Sequence, residues 1–246
     1  MQPYPNPPIT EALLDIRTNL PPETSLVSLA SYQTKIADRF PKKDERINWE
    51  GGFQIKPGSA PEIIGPSGGV IGYIFRSEKD KKLVQARLDG FTFNKLKPYQ
   101  NWDVFSVEAE ELWKHYIDVA KPQRVTRLAL RYINRIEIPM PFKDFKDYIL
   151  TIPEIASGIP QAMNKFLMQV VIPNADINAT ASITETMEPI SPDGKILPFI
   201  LDIDVYRVVT LEPNDDKIWE IMDQLRVFKN LIFKKSVTPL CEELFK

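Results

Sequence analysis

The sequence predicts an α+β protein: two repeated strand–helix–three strands–helix units, a mostly antiparallel sheet, and helices on one face. Three observations carry the prediction. Stretches with the two-residue alternation of strands take turns along the chain with stretches of helical spacing. Residues 83–120 and 199–233 share a layout of strand, turn and long helix. A shift of 115 lays Leu88 on Ile203, Asp89 on Asp204, Phe91 on Tyr206, Phe93 on Val208, Leu96 on Leu211 and Pro98 on Pro213. Nearer the start, a shift of 118 lays Leu14 on Tyr132, Arg17 on Arg135 and Pro21 on Pro139. The units divide into residues 1–122 and 123–246, as two domains or as one fused domain.

Residues 9–19 open the first unit as a half-buried strand, with Ala12, Leu14 and Ile16 on one face and Leu13, Asp15 and Arg17 on the other. Pro21-Pro22 ends it, and Thr24 or Ser25 caps a helix whose stripe is Leu26, Leu29, Ala30, Gln33, Ile36, Ala37 and Phe40. A short strand over residues 47–56, a Gly/Pro loop over 57–69 and a strand over 70–77 follow. Residues 83–95 read as one long strand, with a bulge at Gly90 where the alternation changes face. The helix over 103–120 buries Phe105, Ala109, Leu112, Trp113, Tyr116 and Ile117. In the second unit, residues 125–139 form a strand, 142–150 a helix, 163–172, 179–187 and 199–211 strands. The last long helix buries Ile218, Ile221, Met222, Leu225, Phe228 and Ile232. Thr238-Pro239 then opens a short final helix.

The totals exclude several classes. Net charge is −2, from 31 basic and 33 acidic residues, so no global field draws the chain to nucleic acid or an anionic membrane. Cys241 is the single cysteine, so no intrachain disulfide forms. The start, MQPYPNPPITEALLDI, lacks the basic and apolar segments of a secretory signal, and no run reaches the ~18 apolar residues that span a bilayer. A soluble, cytoplasmic protein without membrane attachment is expected. The glycine-rich stretch from Gly65 to Gly72 lacks the Lys of a phosphate-binding loop and precedes a strand, so it reads as a connection. No cofactor and no bound metal are expected.

The feature left to explain is a charged face. By alternation Arg127, Arg131 and Arg135 lie opposite an apolar stripe of Leu128, Leu130, Tyr132, Ile136 and Ile138. The matched strands bring Arg87, Asp89, Asp202 and Asp204 to the same face, beside Phe91 and Tyr206. Cross-strand charge pairs are a normal stabilising device, so one reading is a structural ion network. The other is a recognition surface, with guanidiniums offering bidentate donors and aromatics offering stacking. Asn134, on the apolar side, reads as a core amide bonded to backbone. Asp202 and Asp204 share a face, as a metal or acid–base pair would, but no His or further carboxylate cluster is recognisable around them in the sequence. His115 reads as an exposed bystander, Cys241 as a buried small side chain, and the four tryptophans, Trp49, Trp102, Trp113 and Trp219, as packing groups. Lys229, Lys234 and Lys235 read as cations complementing a helix C-terminus.

Three short stretches carry a resemblance: Pro8-Ile9-Thr10-Glu11-Ala12, Arg127 with Arg131-Tyr132-Ile133-Asn134, and Asn230-Leu231-Ile232-Phe233 with Thr238. Together they resemble a sporadically distributed bacterial family of proteins of about this length. The element order also resembles the duplicated TATA-binding-protein-like fold. The family supplies no established activity or catalytic residue to carry over; its scattered distribution implies mobile or defence gene cassettes. The expected function is therefore non-enzymatic recognition of a partner protein or ligand. Arg127, Arg131, Arg135, Tyr206, Arg87 and Asp204 are the candidate binding residues. Nucleic-acid or nucleotide binding on the same face is the alternative, and a metal-dependent enzyme around Asp202 and Asp204 is the third. Self-association is left open.

Overall fold

The computed structural model describes residues 4–47, 50–54, 62–67 and 69–246. In chain order the elements are β1 (Ile9–Asn19), α1 (Leu26–Ala30), α2 (Gln33–Ile36), β2 (Lys42–Ile47), β3 (Glu50–Gln54), β4 (Glu62–Ser67), β5 (Val70–Ser77), β6 (Lys82–Arg87), β7 (Gly90–Leu96), α3 (Trp102–Ala120), β8 (Arg124–Pro139), β9 (Leu167–Asn174), β10 (Ala179–Met187), β11 (Ile196–Leu211), α4 (Lys217–Ser236) and α5 (Pro239–Glu243). Nine strands form one antiparallel sheet in the order β2-β5-β6-β7-β1-β8-β11-β10-β9, and β3 pairs with β4 separately. The α+β class, the antiparallel sheet and the one-sided helices are as the sequence predicts.

Alternation decides the faces. Ala12, Leu14 and Ile16 of β1, Leu128, Leu130 and Tyr132 of β8, and Phe199, Leu201, Ile203 and Val205 of β11 are buried towards the helices. α3 lays Phe105 flat on Phe93, with ring centroids 5.0 Å apart, and sets Trp113 and Tyr116 against Phe91 at 5.8 Å. Each such fully buried side chain contributes about 1.5–3 kcal/mol. α3 starts where the Asn101 side chain accepts from Val104 N at 2.9 Å and stops at Lys121, whose φ of 48° turns the chain out before Pro122. α4 packs on β11 and β8 through Ile218, Met222 and Leu225. No helix among the described residues is long and apolar enough to cross a membrane.

Several local expectations need correction. Residues 83–95 are not one bulged strand. They are the hairpin β6–β7, closed by Leu88 and Asp89, with Arg87 opposite Gly90. Gly90 has φ +148°, and a Cβ there would lie 2.2 Å from Ile16 O, so only glycine fits. The hairpin puts Ala86 opposite Phe91 and Val84 opposite Phe93 on the helix side, and leaves Leu88 in the turn. Phe91 is therefore core, fully buried, and not part of the charged face. The helix over 26–40 is two short ones, α1 and α2, because Tyr32 turns inwards between them and donates its hydroxyl to Leu112 O at 2.9 Å. The stretch expected as a loop contains β4, paired with β3. Residues 48–49, 55–61 and 68 of that region, Trp49 included, lie outside the described residues. The expected helix over 142–150 is a single 3₁₀ turn, Phe145–Asp147.

Read outward from the β1–β8 seam, the strand order is β1, β7, β6, β5 in one direction and β8, β11, β10, β9 in the other. The separate β3–β4 pair and β2 belong to the first half only.

Candidate functional site

The face away from the helices carries the predicted arginines, and every one of them meets a carboxylate. Asp15 of β1 is the hub. Arg87 Nη2 donates to Asp15 Oδ1 at 2.8 Å, Arg17 Nε to Asp15 Oδ2 at 3.0 Å, and Thr92 Oγ1 to Asp15 Oδ1 at 2.7 Å. Arg127 Nη1 stands 3.4 Å from the same carboxylate and its Nη2 3.4 Å from Asp204. The Arg127 guanidinium lies over the Tyr206 ring, 4.4 Å from the centroid. Ala129, opposite both Asp15 and Tyr206, leaves space for this arrangement. Burial pushes the Asp15 carboxyl up, but Arg87, Arg17 and the hydrogen bonds from Arg87 and Thr92 outweigh it and hold the group below its usual value. Arg87 itself is 5% exposed and also donates to Asp89 at 2.8 Å. Asp204 is the opposite case. Burial raises its pKa, against the pull of Arg127 and Arg131.

Arg131 and Arg135 make their own pairs. Arg131 grips Asp202 through Nε at 2.9 Å and Nη2 at 2.5 Å. Arg135 donates to Glu188 at 2.9 Å and Glu137 at 2.5 Å. Five guanidiniums (Arg17, Arg87, Arg127, Arg131, Arg135) thus face six carboxylates (Asp15, Asp89, Asp202, Asp204, Glu137, Glu188), and the network carries no positive excess. An incoming phosphate or carboxylate would have to displace a resident one. Asp202 and Asp204 likewise spend oxygens on Arg131 and Arg127, and no group of three or more metal-ligating side chains occurs among the described residues. His115 is half-buried, 4.0 Å from Glu111. Cys241 is fully buried, and burial, reinforced by Glu242, pushes its thiol up to about 12, so it is not a nucleophile at neutral pH.

A second place on the molecule has what the arginine row lacks, a cavity with an unmatched charge. Residues 4–9, the start of α3, β8 and α4 enclose about 220 Å³. Lys229 of α4 is 8% exposed, and its Nζ rests 3.8 Å from the centroid of the Tyr132 ring. Among the described residues it has no hydrogen bond and no ion pair. Burial and the nearby Arg226 guanidinium lower its pKa to about 7. Arg226 lies over the Trp102 ring at 5.7 Å, with its Nε 3.4 Å from Asp223, and among the described residues that Nε has no hydrogen-bond acceptor. Asp223 accepts instead from Trp102 Nε1 at 2.8 Å. The Tyr99 and Tyr132 hydroxyls pair at 3.0 Å. Asn134 donates to Leu201 O at 2.9 Å and to Tyr132 O, the backbone-bonded amide the sequence predicts, yet it also lines the cavity.

No family model matches the chain. No curated protein matches it either.

Pro8 and Ile9, Tyr132 and Asn134, and Asn230 and Phe233 all line the cavity, so the three short stretches singled out in the sequence converge on it. Lys229 is the residue that sequence reading misplaced. The sequence reads it, with Lys234 and Lys235, as a cation complementing a helix C-terminus. A signal was present: 218, 222, 225, 229 and 232 are successive positions on one helical face, and Lys229 interrupts an apolar stripe. Asp15 was also overlooked as a hub, although alternation placed it beside Leu13 and Arg17.

Proposed function

We propose that this chain is a recognition protein that holds a small ligand, without catalysis, in the cavity between residues 4–9, β8, α3 and α4. The observation that carries this reading is Lys229: a nearly buried amine, facing a cavity, with no counter-charge among the described residues. An unpaired buried ammonium costs several kcal/mol, and a perturbed amine of this kind in a cleft is a candidate for a functional site. The arginine row supports the reading by contrast, since its guanidiniums are spent on fixed carboxylates. Ligand-observed NMR with a fragment library tests it. Asn230, half-buried on the cavity wall, gives the control. Fragments should bind the native chain and be lost from a correctly folded Asn230→Trp variant, which fills the space. Hits indifferent to that change, or none at all, would end the proposal.

A second reading keeps partner docking on the polar sheet face. It is favoured by the absence of any helix packed there among the described residues and by Arg131, whose side chain is 45% exposed. Arg131→Ala with Arg135→Ala should then weaken partner capture while costing no more than about 1 kcal/mol each, as exposed pairs do. Unfolding would instead make the network purely structural. Nucleic-acid binding needs a positive excess that this face does not have.

A further inference from the structure

Resting on the reading that the cavity binds a small ligand, we infer that its occupant is a planar, singly charged carboxylate, seated with its charge at Lys229 and its ring against Tyr4, Trp102 and Phe233. Size, walls and charge each narrow the choice. The volume of about 220 Å³ falls below the roughly 300–1,000 Å³ of pockets for drug-sized ligands, so the occupant is small. Five aromatic rings, Tyr4, Tyr99, Trp102, Tyr132 and Phe233, stand in the wall. Tyr4 stacks edge-on against Phe245 at 5.4 Å and tilts on Phe233 at 6.2 Å, while Trp102 is fixed by its hydrogen bond to Asp223. Fixed aromatic surfaces take a flat apolar body with little loss of side-chain freedom.

The charge follows from what faces Lys229. From α4 comes Arg226, 3.4 Å from Asp223; from the start of α3 comes Asp103, and from the loop before α3 the neutral phenol of Tyr99; from β8 comes the neutral phenol of Tyr132; from the N-terminal stretch comes Tyr4. Burial holds the phenols of Tyr4 and Tyr99 up at about 12, so none supplies an anion at neutral pH. Among the described residues one amine therefore lacks a counter-charge and one guanidinium has a donor to spare. A monoanion completes that set. A dianionic phosphate would bring its second charge towards Asp103 and Asp223 and be repelled.

Binding should be linked to protonation. The free amine, with its pKa near 7, is largely neutral in mildly alkaline solution; beside a carboxylate it becomes an ammonium, so the complex takes up a proton. Affinity then rises as pH falls from about 9 to about 7.

Titration calorimetry of the native chain with benzoate, benzamide and inorganic phosphate decides the matter. Benzoate should bind at least about tenfold more tightly than benzamide, which is about 1.4 kcal/mol. Above neutral pH its apparent enthalpy should change with the ionisation enthalpy of the buffer, in the sense of proton uptake. Lys229→Met, whose thioether suits the buried site, should erase the preference. If that variant does not fold, the buffer series on the native chain still judges the inference. Equal binding of benzoate and benzamide would leave the cavity reading standing and remove the carboxylate. Tighter binding of phosphate would likewise overturn the carboxylate. No binding by any probe would count against both.

Discussion

Glu185 of β10 is a carboxyl group on the wrong side of the sheet. Alternation points it to the helix face, opposite Leu201 and Met168, and it is 1% exposed. Among the described residues neither carboxyl oxygen has a hydrogen-bond partner, and burial alone raises its pKa to about 7 from the usual 4.5. The folded chain therefore holds this proton more tightly than the unfolded chain does. The associated stability is fully present below about pH 4.5 and is lost as the pH rises through about 7, on the order of 3 kcal/mol in all. Glu185→Gln removes the charge and keeps the shape. Urea denaturation should find the variant more stable than the native chain at about pH 8, by up to that amount, and nearly equal to it at about pH 4.5. Lys229 has the opposite dependence, its lowered pKa making stability rise with pH above about 7, but it is common to both chains and cancels in the difference. Equal destabilisation at both pH values would mean the carboxylate has a partner that the geometry does not reveal.

At the scale of elements, the hairpin β6–β7 separates what composition can tell from what it cannot. Asp89-Gly90 is a strong hairpin signal, yet alternation broken by a bulge at Gly90 also fits one strand over residues 83–95, and the match to residues 199–211 favours that choice. The long helices α3 and α4, the Thr238-Pro239 start of α5 and the alternation of β1 and β8 were legible, because each is set by spacing within one element. The residues that meet at a site were only partly so. The arginine row lies on one strand and could be read; Asp15 as its hub and Lys229 as a cavity wall depend on which elements become neighbours. Gly90 carries a direct test. Gly90→Ala forces a side chain into φ +148° and puts its Cβ within 2.2 Å of Ile16 O in β1. The strain and the displaced β1–β7 pairing should cost on the order of 3 kcal/mol, seen as a lower denaturation midpoint with unchanged m value. A loss under about 0.5 kcal/mol would mean that the turn tolerates left-handed-free geometry and that the strand reading was nearer the truth.

For the whole molecule, the question is whether residues 1–122 and 123–246 are two domains or one. The sheet runs through the boundary. β1 and β8 pair along their length, from Ile9 opposite Asn134 to Asn19 opposite Arg124. Pulling them apart would bare Leu14, Ile16, Leu128 and Leu130, all fully buried, and orphan a row of backbone groups at the centre of the sheet. The helices are tied across as well: Trp113 Nε1 donates to Pro213 O at 3.1 Å, Trp102 Nε1 to Asp223, and Tyr99 pairs with Tyr132. Asn6 N donates to Phe245 O at 2.9 Å, joining the chain's two ends. One continuous apolar cluster contains residues of both halves. Such a chain should unfold in a single step, although two-state behaviour is the rule mainly below about 150 residues. Tryptophan fluorescence and far-UV circular dichroism should give superimposable denaturation curves, and the calorimetric enthalpy should equal the van't Hoff enthalpy. The cavity makes the result functionally relevant, because its walls come from both halves: Tyr4, Tyr99 and Trp102 from the first, Tyr132 and Lys229 from the second. Two resolved transitions would mean that the halves are separable bodies, and the proposed ligand seat between them would then open without either half unfolding. A single transition ties the seat to the integrity of the entire sheet, so that occupancy by a ligand raises the one midpoint observed by mass action.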